Sequence, residues 1–270
     1  MTQSHADRED GPLRVAVIGS GGVGKSMISA SLARILSRRG RQVLAVDLDP
    51  NPGLAYSLGL PPNDEGLPSE STVRVEKGGL YGWGPAPDLD LSTGALTLSR
   101  IAPDGVRYLS PGKIDASGDA KGEVKRCLGT VRQLVDSLEA PWDIVADLEA
   151  GTTTPYEGYG RFADTMVVVA SGAWRSCVAA RRLLALFPDL PMVVVATKTM
   201  PGASDASRWG LPVRHEIPFD RAILDAERQG RAPLDVCPDS PALSAVEALA
   251  DLLLEGRPMT QLATYGAEKQ

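Results

Sequence analysis

The sequence predicts an α/β fold: a doubly wound, mostly parallel sheet with helices on both faces. Three observations predict it. Short, apolar, β-branched runs recur along the chain, and segments of helical period separate them. The first strand, helix and strand together take only about 35 residues, the size of one right-handed βαβ unit. Strands covered on both faces read as continuous apolar runs rather than alternating ones, and these runs are continuous.

The elements follow in order. Residues 1–12 are polar and predicted disordered, 13–255 are read as one domain, and 256–270 as a C-terminal tail. The run 13–19 (LRVAVIG) is a buried strand. From 25 to 39, Ile28, Leu32, Ile35 and Leu36 recur at i, i+4, i+7 and i+8, a helix with Gly40 where its C-terminal cap belongs. Residues 42–47 (QVLAVD) make the second strand. The stretch 60–105 is dense in Gly, Pro and Ser and predicts a loop-rich, mobile insert. Strands return at 106–109, 143–147, 165–170, 192–197 and 213–217, with helices at about 121–139, 173–187, 220–229 and 241–255. Ser240 as N-cap and Pro241 at the first helical position start the last one.

Composition narrows the function classes. The chain has 270 residues, 43% hydrophobic and 23% charged, which argues against intrinsic disorder. Its 28 Lys and Arg against 34 Asp and Glu leave a formal charge of −6, so nucleic acid is an unlikely partner: coating it takes a basic face that displaces counterions. No apolar run approaches the 18 or so residues of a membrane helix, and the start, MTQSHADREDGPLR, has no apolar signal core. Cys127, Cys177 and Cys237 are scattered, with no CxC or CxxC pair, so no disulfide framework is expected. No membrane association and a cytoplasmic location are the expectation.

One motif carries the chemistry. Gly19-Ser20-Gly21-Gly22-Val23-Gly24-Lys25-Ser26 fits G-x-x-x-x-G-K-[ST], directly after an apolar strand and at the start of a helix. That context is what a phosphate-binding P-loop requires: glycines let backbone N–H groups converge on phosphate oxygens, and the helix N-terminus adds its positive dipole end. The predicted cradle is Gly21, Gly22, Val23, Gly24, Lys25, Ser26 and Met27, with Lys25 neutralising the β- and γ-phosphates and Ser26 ligating Mg²⁺. Two acidic clusters end neighbouring strands, Asp47-Leu48-Asp49 and Asp147-Leu148-Glu149. Asp147 and Asp47 suit a Mg²⁺ held mostly through water, and Asp49 suits a residue that positions the attacking water.

Together these residues resemble the deviant-Walker-A ATPases of the SIMIBI class, the MinD/ParA superfamily, with the nearest likeness to the CooC-like accessory proteins of carbon monoxide dehydrogenase. The likeness is carried by GGVGKS (21–26), VLAVDLDPNPGLAYSLGL (43–60), DLEAG (147–151) and IPFDRAILDAERQG (217–230). It implies ATP/ADP and Mg²⁺ as ligands, an ATP-bound homodimer with its nucleotides at the subunit interface, and a client protein or enzyme. Lys25 and Asp49 take the catalytic roles, Asp147 is the Walker B aspartate, and 147–160 is switch II. Thr197, Lys198, Pro218, Phe219 and Asp220 stand at the positions that face the base.

Two departures shape the functional reading. Ser20 stands where the family carries a signature lysine that reaches into the partner's site, so hydrolysis is expected to be slow or to use another cation. The stretch 112–126 lacks the CxC pair of nickel-binding relatives, so no nickel or zinc site is expected. The resulting function is an ATP-hydrolysing dimeric switch that serves a partner protein. The alternatives are a regulatory module that binds nucleotide with little hydrolysis, a ParA/MinD-like positioning ATPase, and last a P-loop enzyme acting on a small molecule.

The remaining polar and aromatic residues have plain readings. His215 falls within a strand as a structural or edge residue; Cys127 and Cys177 read as small core residues, and Cys237 lies in a loop. Trp83 and Trp174 read as packing first and partner contacts second. Arg38, Arg39 and Arg41 sit at a helix C-terminus, where cations offset the dipole.

Overall fold

The computed structural model describes residues 11–49, 53–61, 67–77, 80–112, 120–139, 141–151, 162–200 and 210–256. The strands are β1 (Arg14–Gly19), β2 (Val43–Leu48), β3 (Thr72–Lys77), β4 (Leu80–Pro85), β5 (Arg100–Ile101), β6 (Arg107–Leu109), β7 (Asp143–Leu148), β8 (Thr165–Ser171), β9 (Met192–Thr199) and β10 (Val213–Pro218). The helices are α1 (Lys25–Arg38), α2 (Leu54–Leu58), α3 (Gly94–Thr97), α4 (Ala120–Asp136), α5 (Trp174–Leu186), α6 (Arg221–Arg228), α7 (Pro233–Val236) and α8 (Pro241–Leu254).

Eight strands form one sheet in the order β10-β9-β8-β1-β7-β2-β6-β5. Every pairing in it is parallel except that of the edge strand β5 with β6. β2 and β7 are buried along their whole length, which is why both read as unbroken apolar runs. β10 lies at an edge, and its residues alternate half-buried and exposed over Val213–Glu216. His215 accordingly has a structural place: its ring nitrogen meets the Ala245 carbonyl at 2.6 Å.

Side-chain parity sorts the core into two layers. Val15, Val17, Val43, Ala45 and Val145 face α1 and α8, whereas Ala16, Ile18, Leu44, Val46 and Ile144 face α4 and α5. Cys127 and Cys177 belong to the second layer, as expected. The helix ends also match their signals. Gly40 takes φ +85° just past the α1 cap, and the Ser240 hydroxyl accepts from the Ala242 N–H at the start of α8.

The insert differs from expectation. Within 60–105 the chain forms an antiparallel hairpin, β3 with β4, then α3 and β5. The hairpin is held from outside: Gln133 Nε2 on α4 donates to the Trp83 carbonyl at 3.0 Å. Gly129 lets that carbonyl approach so closely that a Cβ would sit 2.8 Å from it. Glycines at 82 and 84 hide the strand from any local reading, because Gly weakens a strand that tertiary contact then supports.

Ion pairing also departs from the dipole account of the basic cluster. Arg38 meets Asp104 at 3.0 Å, Arg39 meets Asp251 at 2.6 Å, and Arg41 binds both oxygens of buried Asp143. Arg34, on α1, is almost wholly buried; its Nε donates to Asp104 at 2.6 Å and its NH2 to Asp235 at 2.7 Å. That one guanidinium ties α1 to the turn before β6 and to α7. No sequence signal marked it.

Candidate nucleotide site

β1 ends at Gly19, and the chain runs through 20–24 into α1. The glycines of this loop are required for separate reasons. Gly22 and Gly24 have φ of +75° and +94°, a region L-residues seldom adopt. Gly19 has an ordinary φ, but a Cβ there would lie 2.3 Å from the Val169 carbonyl of β8. Gly21 has open space around it. We therefore expect Gly19→Ala to force β1 and β8 apart and to cost about 1–3 kcal/mol, the usual penalty of overpacking. Chemical denaturation would check this, with Gly21→Ala expected to stay within about 1 kcal/mol of the native chain.

Lys25 opens α1 and is buried, and the N–H groups of the first helical turn have no partners within the helix. Ser26 Oγ donates to Asp147 Oδ2 at 2.5 Å, and Ser29 Oγ reaches Oδ1 at 3.4 Å. Parity explains why: Asp147 shares the α1-facing side of β7 with Val145. In register, Asp47 of β2 pairs directly with Asp147 of β7, so two buried carboxylates stand side by side beneath the loop.

Burial is the main cause that raises both acids. Asp147 is pushed up to about 6 against a usual 3.8, while the Ser26 hydroxyl and nearby Lys25 pull it back. Asp47 is raised well above its usual value by burial and by the Asp147 charge. The folded chain then binds more protons than the unfolded one between roughly pH 4 and 6, so stability should fall as pH rises through that window. In magnesium-free buffer the denaturation midpoint of native protein should drop across it, and Asp147→Asn should flatten the fall. An unchanged slope in the variant would refute the assignment.

Asp47 has a further task. Its carboxylate accepts the N–H of Asp49 at 3.1 Å and of Leu54 at 3.0 Å, with the Tyr108 hydroxyl at 3.5 Å. It anchors both ends of the segment that carries Asp49. Sequence reading gave Asp47 a metal role only and missed Tyr108, whose inward position on β6 becomes visible only once β6 pairs with β2.

The far wall of the loop comes from β9. Thr197 Oγ1 donates to the Val23 carbonyl at 2.9 Å, and Lys198 Nζ donates to the Gly22 carbonyl at 2.7 Å. Lys198 holds φ +57°, the strained left-handed region for a residue with a Cβ. Both residues thus brace the loop itself. The Phe219 N–H donates to the Thr199 carbonyl, bringing the end of β10 beside the end of β9, and the Phe219 ring is exposed. Asp220 is taken up as the N-cap of α6, accepting from Ala222 N at 2.8 Å and from the Ser240 hydroxyl at 2.5 Å. Met27 packs in the core, which leaves its backbone N–H as the group that could face a phosphate. Residues 152–160 of the expected switch II, and 113–119 of the stretch read for metal ligands, lie outside the described residues.

The donors around Asp147 are all hard oxygens, the set that suits magnesium. Among the described residues no group of three or more His, Cys, Asp and Glu converges. A magnesium that keeps several waters and takes the rest of its shell from phosphates needs no such cage.

The family model of the CobQ/CobB/MinD/ParA nucleotide-binding domain matches residues 15–234, most of the chain and the whole of this site. The chain belongs to this family. Among individual relatives, it is 28% identical over 249 residues to the carbon monoxide dehydrogenase accessory protein CooC of Rhodospirillum rubrum, covering 84% of this chain and 91% of that protein. It is 25% identical over 266 residues to an uncharacterized ATP-binding protein of Methanocaldococcus jannaschii, covering 90% and 98%. In fold it is similar to Pyrococcus horikoshii MinD in complex with Mg-ADP, at TM-score 0.65 and 18% identity over 90% of this chain and 96% of that one. Mycobacterium smegmatis cobyrinic acid a,c-diamide synthase, solved with an ATP analogue and magnesium, gives TM-score 0.61 at 21% identity, covering 94% and 100%. The likeness in fold bears out the doubly wound, mostly parallel sheet, and the family match with the CooC relative bears out the MinD/ParA and CooC likeness read from the motifs. No helix among the described residues is long and apolar enough to cross a membrane.

Proposed function

We propose that the protein is a magnesium-dependent ATP-binding and ATP-hydrolysing switch, dimeric with ATP, that serves as an accessory or maturation factor for a partner enzyme in the manner of CooC. The observation that supports it best is the placement of Ser26, Lys25 and Asp147 under a glycine loop, with Asp49 on a segment tethered through Asp47.

Each residue then has a defined part. Backbone N–H groups of the loop and the first turn of α1 hold the β- and γ-phosphate oxygens, and Lys25 brings a cation to the same oxygens. Magnesium, when bound with ATP, offsets the charge that builds on the transferred phosphoryl group. Ser26 and Asp147 would hold it, Asp147 and Asp47 mainly through its waters. Asp49 accepts a hydrogen bond from the attacking water and sets it in line with the leaving oxygen. Thr197, Lys198, Pro218 and Phe219 close the end where a base would lie. The cytoplasm is the compartment that ATP supply and three cysteines outside any disulfide favour.

A second reading is favoured by Ser20. Without the charge that a lysine would lend across the dimer, the protein would bind ATP or ADP tightly and turn over little. The deciding experiment measures phosphate release and oligomeric mass with ATP and with ADP. ATP-dependent dimerisation with turnover supports the switch; tight binding without turnover supports the regulatory module; no binding of either nucleotide overturns both. Restoring the cation by Ser20→Lys should raise turnover at least tenfold, since a cation at such a position can contribute 10³–10⁵ in rate.

A further inference from the structure

The outward face of α5 joins an exposed indole to several arginines. Trp174, Arg181 and Ala185 line one stripe of the helix at i, i+7 and i+11, with Arg175, Arg182 and Leu186 beside it. All six are exposed, Trp174 at 60% and Leu186 at 49%. The Arg181 guanidinium lies 5.3 Å from the centre of the Trp174 ring, a cation–π pair that holds both side chains outward. No Asp or Glu occurs between 174 and 186.

Charge sets this face apart. The chain carries six more acids than bases, and the arginines of α1 and α6 each face a carboxylate. Arg175, Arg181 and Arg182 have no such pairing among the described residues. Three uncompensated guanidinium groups around an exposed indole match the residue types that dominate protein–protein contact energy. Three charges on one helix of an acidic chain are few for nucleic acid, where binding scales with the phosphates neutralised.

The face is also rigid. The Ser171 N–H donates to Ser176 Oγ at 2.9 Å, and Cys177 Sγ donates to the Ser171 carbonyl at 3.4 Å, fastening the first turn of α5 to the end of β8. β8 is the strand next to β1. Trp174 therefore stands at the same rim of the sheet as the glycine loop.

We infer that the α5 face is the docking surface for an acidic segment of a partner protein, one that lays an apolar side chain against Trp174 and carboxylates against Arg175, Arg181 and Arg182. The inference needs no ATP turnover, and its test keeps the two separate. The probe is a synthetic helical peptide of Glu and Leu, titrated into the full chain and followed by indole fluorescence. Saturable binding is expected, weakened by salt and absent from the signal of Trp174→Phe. The double substitution Arg181→Glu with Arg182→Glu should weaken it roughly tenfold or more, about 1.4 kcal/mol. Arg181→Gln with Arg182→Gln, gentler on folding, should weaken it less, and Lys25→Ala not at all. Nucleotide binding should survive every α5 substitution.

Three results would overturn the inference. One is peptide binding that is undetectable or equal in native and charge-reversed protein. Another is tighter binding of a DNA duplex with the same sensitivity to the α5 substitutions, which would make the face a nucleic-acid surface. The third is self-association of native protein that the charge reversal abolishes without peptide, which would make the occupant a second copy.

Discussion

Alanine at Asp49 should reduce phosphate release by about 10²-fold or more while leaving ATP affinity within about threefold, the signature of a group that acts on the reacting water rather than on the bound ground state. Alanine at Lys25 should do something different. It removes a buried cation from beside Asp147 and, in the proposed function, the charge that Lys25 brings to the phosphates, so both affinity and turnover should collapse. The comparison is informative because the Asp49 backbone N–H is held by Asp47 whatever its side chain. The segment should keep its path in Asp49→Ala, and any loss then belongs to the carboxylate. Stopped-flow phosphate release with calorimetric ATP titration measures the pair. Equal loss of affinity in the two variants would remove Asp49 from the water-positioning role.

The second large effect concerns stability. Arg34→Ala should lower stability by about 2–4 kcal/mol, towards the low end of the range for breaking a buried ion pair because Asp104 and Asp235 can still reach water. The energy lost is a joint one. Removing the guanidinium leaves a cavity in α1's packing, deprives the Leu58 carbonyl of a donor, and unties α1 from α7. For a chain of this size the melting temperature should fall by roughly 5–15 °C. Arg34→Met, which keeps the volume and loses the charge, should recover part of it. Recovery near the native value would show that packing rather than pairing carries the effect. Arg38 shares Asp104 but is largely exposed, so Arg38→Ala should cost under about 1 kcal/mol.

How much of the fold is legible in the sequence depends on the range of the forces involved. The strands 14–19, 43–48, 143–148, 165–171 and 192–199 were visible because burial on both sides demands a continuous apolar run. The helix starting at Pro241 was visible because its cap is written in adjacent residues, Ser240 and Pro241. The hairpin at 72–85 was not. Its second strand is interrupted by Gly82 and Gly84, and its partner, α4, lies about fifty residues further on.

The same division runs through the candidate site. The P-loop motif, the two strand-end acids and the end of β9 all stood out as local signatures. Their tasks did not. Asp47 and Asp147 are adjacent because β2 and β7 pair in register, although 100 residues separate them. Gly19 is required by a carbonyl of β8, and Gly22 and Gly24 by their own backbone. Lys198 turns back onto the loop through a left-handed residue that no sequence pattern announced.

Sequence by itself therefore determined the class of sheet, the phosphate-loop motif and the family, because hydrophobic periodicity, caps and glycine spacing act between residues close along the chain. Only the tertiary structure decided which carboxylates share a charge environment, which arginines are paired and which face outward on α5. Those depend on strand order and register, and electrostatic energy follows distance in space whatever the separation in sequence.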